Sequence, residues 1–164
     1  MPGKHPVLPF GSISHGTLIT GDLINAFYDL LEETSETYAQ SIRDNYYQND
    51  RILLELRWCH DIPIEMEDDA QDLLESVMNA LQEFCPPFCC FGAHPGDASD
   101  YGVWFNGEEF DDACRSGEVV MLMDGPPIEI DGINCPDAYY FAAVTDHGNL
   151  TVWSPDGSTV LEMV

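Results

Sequence analysis

FCCFGAHPGDASDYGVWF, residues 88–105, marks the point where the apolar period changes from helical to extended. Two β-rich runs, FCCFGAH and YGVWF, flank PGDASD, whose proline, glycine and aspartates supply turn geometry. The simplest reading is a hairpin whose aromatics pack under helices. Asp97 and Asp100 would then bond the turn backbone, and Gly96 would take positive φ. The stretch also holds the ingredients of a metal site, since His94, Asp97 and Asp100 lie on or beside the turn. A small metal-dependent enzyme centred on these three is the alternative reading. Against it, no two histidines show HxH or HExxH spacing, and GK[ST], GxGxxG and GxSxG are all absent.

Upstream, the spacing predicts helices. In 20–33, Leu23, Ile24, Phe27, Leu30 and Leu31 repeat at helical intervals, with Thr20 as N-cap. In 34–50, Ser35 is a candidate cap and Tyr38, Ile42 and Tyr46 share a stripe. RILLELRWCHDIPIEM (51–66) is ambiguous in its period: it is compatible with a helix continuing to about Cys59, and Pro63 argues against helix beyond Asp61. The clearest helix is 67–84, whose buried side is Leu73, Leu74, Val77, Met78, Leu81 and Phe84, with Pro86-Pro87 behind it. Downstream, 106–117 reads as a short helix from an Asn106 cap to a Gly117 stop. EVVMLM, AYYFAAVT, LTVWS and TVLEMV read as strands, with hairpin signals at 146–149 and 155–157. Helices first and hairpins after give an α+β class: N-terminal helices packed on a C-terminal antiparallel β-sheet. The length fits a single domain, 1–164, with a helical part over about 15–84 and a mainly antiparallel sheet part over about 88–164.

Charge is the unusual property of this chain. Thirty acids face five bases, of which only Lys4 is a lysine, for a net charge of −25. Eighteen aromatics exclude a disordered acidic tail, and that field opposes direct nucleic-acid binding. No run of about 18 apolar residues predicts a membrane span, and MPGKHPVLPFGS does not read as a signal peptide, so a cytoplasmic setting is expected. The six cysteines, Cys59, Cys85, Cys89, Cys90, Cys114 and Cys135, are then expected to be reduced and to pack as small hydrophobes. No cofactor is expected.

The acids recur at helical intervals in three groups. Asp68, Asp72 and Glu75 lie opposite the Leu74/Val77/Leu81 stripe, extended by Glu65 and Asp69 with Glu83 near the end. Glu32, Glu33 and Glu36, with Asp29, border the apolar side of the first helix. Glu108, Glu109, Asp111 and Asp112 fall on the short helix. Any solvated helix face is polar, but such a face ordinarily mixes both signs, because like charges at i,i+4 each cost a few tenths of a kcal/mol. Spread evenly, the acids would reach only about a third of DNA's surface charge density, so imitation of DNA requires them to gather on one face. Halophilic adaptation would also give an acidic, lysine-poor chain. The six cysteines, ten isoleucines and many aromatics argue against it.

HGTLITGDLINAFYDLLEE (15–33) together with LLESVMNALQEFCPPFCCFGAHPGDASDYGVWF (73–105) resembles an uncharacterised family of small acidic bacteriophage and plasmid proteins. The motifs are HGT…DLI..F and FGAHPGDxSDxGxW, over about the first two thirds of the chain. Cys90 stands where that family commonly has an aromatic, Ala98 where it has glycine, and Val103 where it has phenylalanine. The resemblance implies a mobile-element setting and no catalytic residues. Joined to the charge, it leads to an expected function: a non-enzymatic, acidic nucleic-acid mimic in the host cytoplasm. Its partner would be a basic nucleic-acid-binding protein or complex of the host, as in anti-CRISPR or antirestriction counter-defence. An immunity-type inhibitor of a basic toxin would use the same electrostatics. No direct nucleic acid and no membrane are expected as partners, and a homodimer is left open, as is the part of Trp104 or Tyr139 in a binding face.

Overall fold

The computed structural model describes residues 7–45, 47–59, 62–122 and 139–164. Among the described residues, five α-helices and two sheets follow an α+β order, divided between two compact units. One unit comprises residues 1–85 and 89–104; the other comprises 86–88 and 105–164. The small sheet formed by the 88–105 hairpin thus groups mainly with the helices, and the later strands form a sheet of their own.

In the first unit, α1 (Thr20–Thr34), α2 (Glu36–Asn45), α3 (Tyr47–Cys59) and α4 (Glu67–Gln82, after a 3-10 turn at Ile64–Met66) accompany β1 (Gly11–His15), β2 (Cys89–His94) and β3 (Asp97–Phe105). The sheet order is β1-β3-β2. Helix α1 buries Leu23, Ile24, Phe27, Tyr28 and Leu31, and α4 buries Ala70, Leu73, Leu74, Val77 and Leu81. Phe27 stands edge-on to Phe91 at 5.0 Å and tilts over Tyr101 at 5.5 Å, so two of the hairpin aromatics lie beneath a helix, whereas Trp104 packs edge-on against His94 and Phe10. Each fully buried leucine, isoleucine, valine or phenylalanine among these contributes ~1.5–3 kcal/mol. Gln82, at the end of α4, clamps β2 to that helix. Its Nε2 donates to the Cys89 carbonyl (3.1 Å), and its Oε1 accepts from the Phe91 N–H (2.8 Å).

Several local expectations change. Thr20 is not the cap of α1: Ile19 occupies that position without a side-chain bond. The Thr17 hydroxyl supplies the order instead, accepting from the Ile19 N–H (3.2 Å) and donating to Asp22 (2.9 Å). Glu36 opens α2 instead of closing α1, because Ser35 is extended between them. Ala39 and Ile42 form the buried stripe of α2, while Tyr38 is exposed and rests edge-on against Phe84 at 5.1 Å. Tyr46 lies outside the described residues. The hairpin turn is Pro95-Gly96 alone; Asp97, Ala98, Ser99 and Asp100 are already strand. Gly96 has no positive φ. Its missing side chain makes room for His94, whose ring would lie 3.3 Å from an added Cβ.

Strand β1 pairs antiparallel with β3 across a bulge between Ser12 and Ser14. A Cβ on Gly102 would stand 2.1 Å from the Gly11 carbonyl oxygen, so only glycine lets the two backbones approach here.

The second unit holds α5 (Gly107–Ser116), β4 (Val119–Met121), β5 (Tyr140–Val144), β6 (Leu150–Trp153) and β7 (Thr159–Met163), with sheet order β4-β5-β6-β7. Asn106 caps α5 by accepting from the Glu109 N–H (3.2 Å), and Gly117 ends it in the left-handed conformation (φ 83°). Phe88 meets Phe110 at 5.4 Å and Tyr140 at 5.3 Å, both edge-on. The β5–β6 and β6–β7 pairs are the expected hairpins, turning at Gly148 (φ 85°) and Gly157 (φ 81°). The sheet is not wholly antiparallel, because β4 runs parallel to β5. The connection from Leu122 to Tyr139 exceeds the dozen or so residues that a parallel crossover needs. No described helix is long and apolar enough to cross a membrane.

Candidate functional site

Of the three acidic groups, the one on α4 is the most regular. At ~100° per residue, Asp68, Asp72 and Glu75 fall within about 60° of one another, directly opposite buried Val77. All three are exposed, and Glu65 on the preceding 3-10 turn is exposed as well, while Asp69 is half-buried at the flank. Glu67, Asp68, Asp69, Asp72 and Glu75 place five carboxylates along about 12 Å of helix axis, close to the one charge per ~3.4 Å of a single nucleic-acid strand. Neither α4 nor α1 contains a lysine or arginine. Among the described residues, none of these five side chains takes an ion pair or hydrogen bond.

Folding explains some of these acids. Glu67, Asp68 and Asp69 occupy the first turn of α4, where the helix dipole favours negative charge, as do Glu36 in α2 and Glu108 and Glu109 in α5. Asp72 and Glu75 lie past that turn, and Asp68 and Asp72 repel at i,i+4. Glu32 and Glu33 sit in the last turn of α1, at its negative pole, a turn that itself contains no base. Glu83 caps the C-terminus of α4 with the same mismatch.

The other groups are less uniform. Glu32 is paired with Arg43 of α2 at 3.2 Å, and Arg43 also faces Asp50 of α3 at 3.9 Å and lies over the Tyr28 ring at 5.5 Å. That arginine ties three helices together, which makes Glu32 a structural partner. Glu33 and Glu36 are exposed, and Glu36 belongs to a different helix from Glu32. Glu108, Glu109, Asp111 and Asp112 are exposed on α5 in the second unit. There Arg115 pairs with Asp112, and the Asn106 amide donates to Glu109 (3.3 Å). Among the described residues, the α4 group is thus the one with no base paired to it.

His94, Asp97 and Asp100 have separate engagements. The Gly96 N–H donates to His94 Nδ1 (3.0 Å), and the ring stands edge-on to Trp104 at 4.6 Å. Asp97 accepts from the Ser99 N–H (2.9 Å) and hydroxyl (2.8 Å), which hold its carboxyl below the usual range. Asp97 therefore does bond the backbone of the hairpin. Asp100 does not: it reaches across to β1, accepting from the Ser12 hydroxyl and lying 3.6 Å from His15 Nδ1. Among the described residues no three histidines, cysteines or carboxylates converge as metal ligands. His147 is exposed at the β5–β6 turn, and His60 lies outside the described residues.

Trp104 donates to the Gly92 carbonyl (2.9 Å) within the hairpin sheet, whereas Tyr139 is exposed. The cysteines are not uniformly buried. Cys89 is buried, Cys85 and Cys114 are half-buried, and Cys90 is exposed on the alternate face of β2. Burial pushes the Cys85 thiol up to about 12, helped by Cys90 nearby. Cys135 and the side chain of Cys59 lie outside the described residues.

No family model, curated protein or solved structure matches this chain.

Proposed function

We propose that this protein is a non-enzymatic inhibitor that offers carboxylates in place of phosphates to a basic nucleic-acid-binding protein. The observation that carries the reading is the outer face of α4. Asp68, Asp72 and Glu75 are exposed there and unpaired among the described residues, on a helix with no base, at positions only partly accounted for by the helix dipole. Lysine and arginine on the partner would form charge-assisted hydrogen bonds to this row, and the field of a −25 chain would speed the encounter. Glu65 and Asp69 extend the row. Glu33 and Glu36 are further exposed carboxylates, on α1 and α2, and Glu108, Glu109, Asp111 and Asp112 lie on α5 of the other unit. The mobile-element resemblance makes counter-defence the setting, with a CRISPR effector or restriction enzyme as the kind of target.

The test is capture from bacterial lysate on immobilised protein at about 50 mM salt and again at about 500 mM, where an interface built on phosphate-like contacts weakens steeply. Basic nucleic-acid enzymes retained at low salt and displaced by added duplex DNA support the proposal. Retained proteins that DNA fails to displace defeat it.

A further inference from the structure

The beginnings of α1 and α4 share a groove of about 500 Å³, lined by Ile19, Thr20, Gly21, Ile62, Glu67, Asp68 and Gln71. Ile19 and Ile62 give this mixed lining its aliphatic surface, and Glu67 and Asp68 bring two carboxylates to it. Ile19 is 64% exposed, and beside the groove Leu18 is 62% exposed and Ile64 80%. Three large aliphatic side chains left in water within two short segments cost burial free energy that this fold does not recover. Glu67 and Asp68 are exposed in the same lining, with no base among the described residues paired to them.

A long cationic side chain matches both the aliphatic and the anionic residues of this lining. Lysine and arginine carry an apolar stem under a charged head, and they bury the stem on apolar surface while the head stays at polar groups. We infer that this groove receives an arginine or lysine side chain of a basic protein partner, its stem against Ile19 and Ile62 and its head at Glu67 and Asp68. The inference rests on the basic-partner reading above and deepens it. The carboxylate row would steer the encounter, and the groove would supply the apolar contact that slows release. An interface with an apolar centre and a charged rim is the usual anatomy of a specific complex.

Two peptides on the unaltered protein test it. One is hexa-arginine; the other is the hexapeptide in which each guanidinium hangs on a single methylene, so charge is equal and the stem is short. Backbone amide shifts are followed by NMR. Hexa-arginine is expected to move the amides of residues 19–21 and 67–71 and to bind roughly tenfold more tightly than the short-stem peptide, the effect of two buried methylenes. Ile19→Ser and Ile62→Ser should remove that tenfold preference, with an unchanged far-UV spectrum showing intact helices. Equal affinity of the two peptides, or shifts confined to residues 72–79, overturns the inference. Asp72→Lys/Glu75→Lys, outside the groove, reads the carboxylate row separately. If that variant loses affinity for both peptides while the stem preference was never present, the groove inference falls and the acidic-face reading stands. If it binds both peptides as the parent does, the acidic-face reading falls.

Discussion

Gly102 and Gly92 belong to the same small sheet and respond differently to a methyl group. Gly102→Ala drives a Cβ into the Gly11 carbonyl, and separating β1 from β3 should cost about 2–4 kcal/mol in urea unfolding. Gly92→Ala meets nothing within 4 Å and should stay within about 0.5 kcal/mol. Cysteine accessibility gives a second residue-scale test. Iodoacetamide at pH 8 should modify exposed Cys90 well before Cys85, whose thiol is held protonated by burial. Because the folded Cys85 value lies above the ordinary 9.0, its contribution to stability is complete below pH 9 and disappears as pH rises toward 12. Equal labelling of the two at early times would contradict the burial pattern. Asn106 as a cap and Gly117 as a stop were legible because cap chemistry is local. Thr17 in place of Thr20 was not, since a hydroxyl three residues upstream depends on how the chain enters the helix. Nothing in the local sequence marks Gln82 as a clamp either, as its partners come from β2.

At the scale of elements, α4 separates stability from function. Asp72→Lys places opposite charges at i,i+4 with Asp68, so it should leave stability unchanged or raise it by a few tenths of a kcal/mol. Leu81→Ala, on the buried side, should cost about 2–5 kcal/mol by the same unfolding measurement. A large loss for Asp72→Lys would mean that the carboxylate holds the fold and is not displayed for a partner. The helices and the later strands were readable because periods of 3.6 and 2 are imposed on each by a single buried face. Strand β1 escaped because GSISH has one large apolar residue and a bulge. The parallel β4–β5 pairing escaped because strand direction depends on where the connection returns, not on the strand's own residues.

For the whole molecule, a net charge of −25 implies self-repulsion that salt relieves. The thermal midpoint should therefore rise as sodium chloride is added, whereas capture of a basic partner should fall over the same range. Acid counting made the charge legible at once, but it could not rank the clusters. Exposure and the positions of Arg43 and Arg115 do that, drawing Glu32 and Asp112 into pairs and leaving the α4 row without a paired base among the described residues. The direct test is the Asp68→Lys/Asp72→Lys/Glu75→Lys protein, assayed for unfolding free energy and for DNA-displaceable capture of basic proteins. The account predicts stability equal to the parent's within about 1 kcal/mol and capture lost; a stable variant that still captures its partner at the parent's level contradicts it.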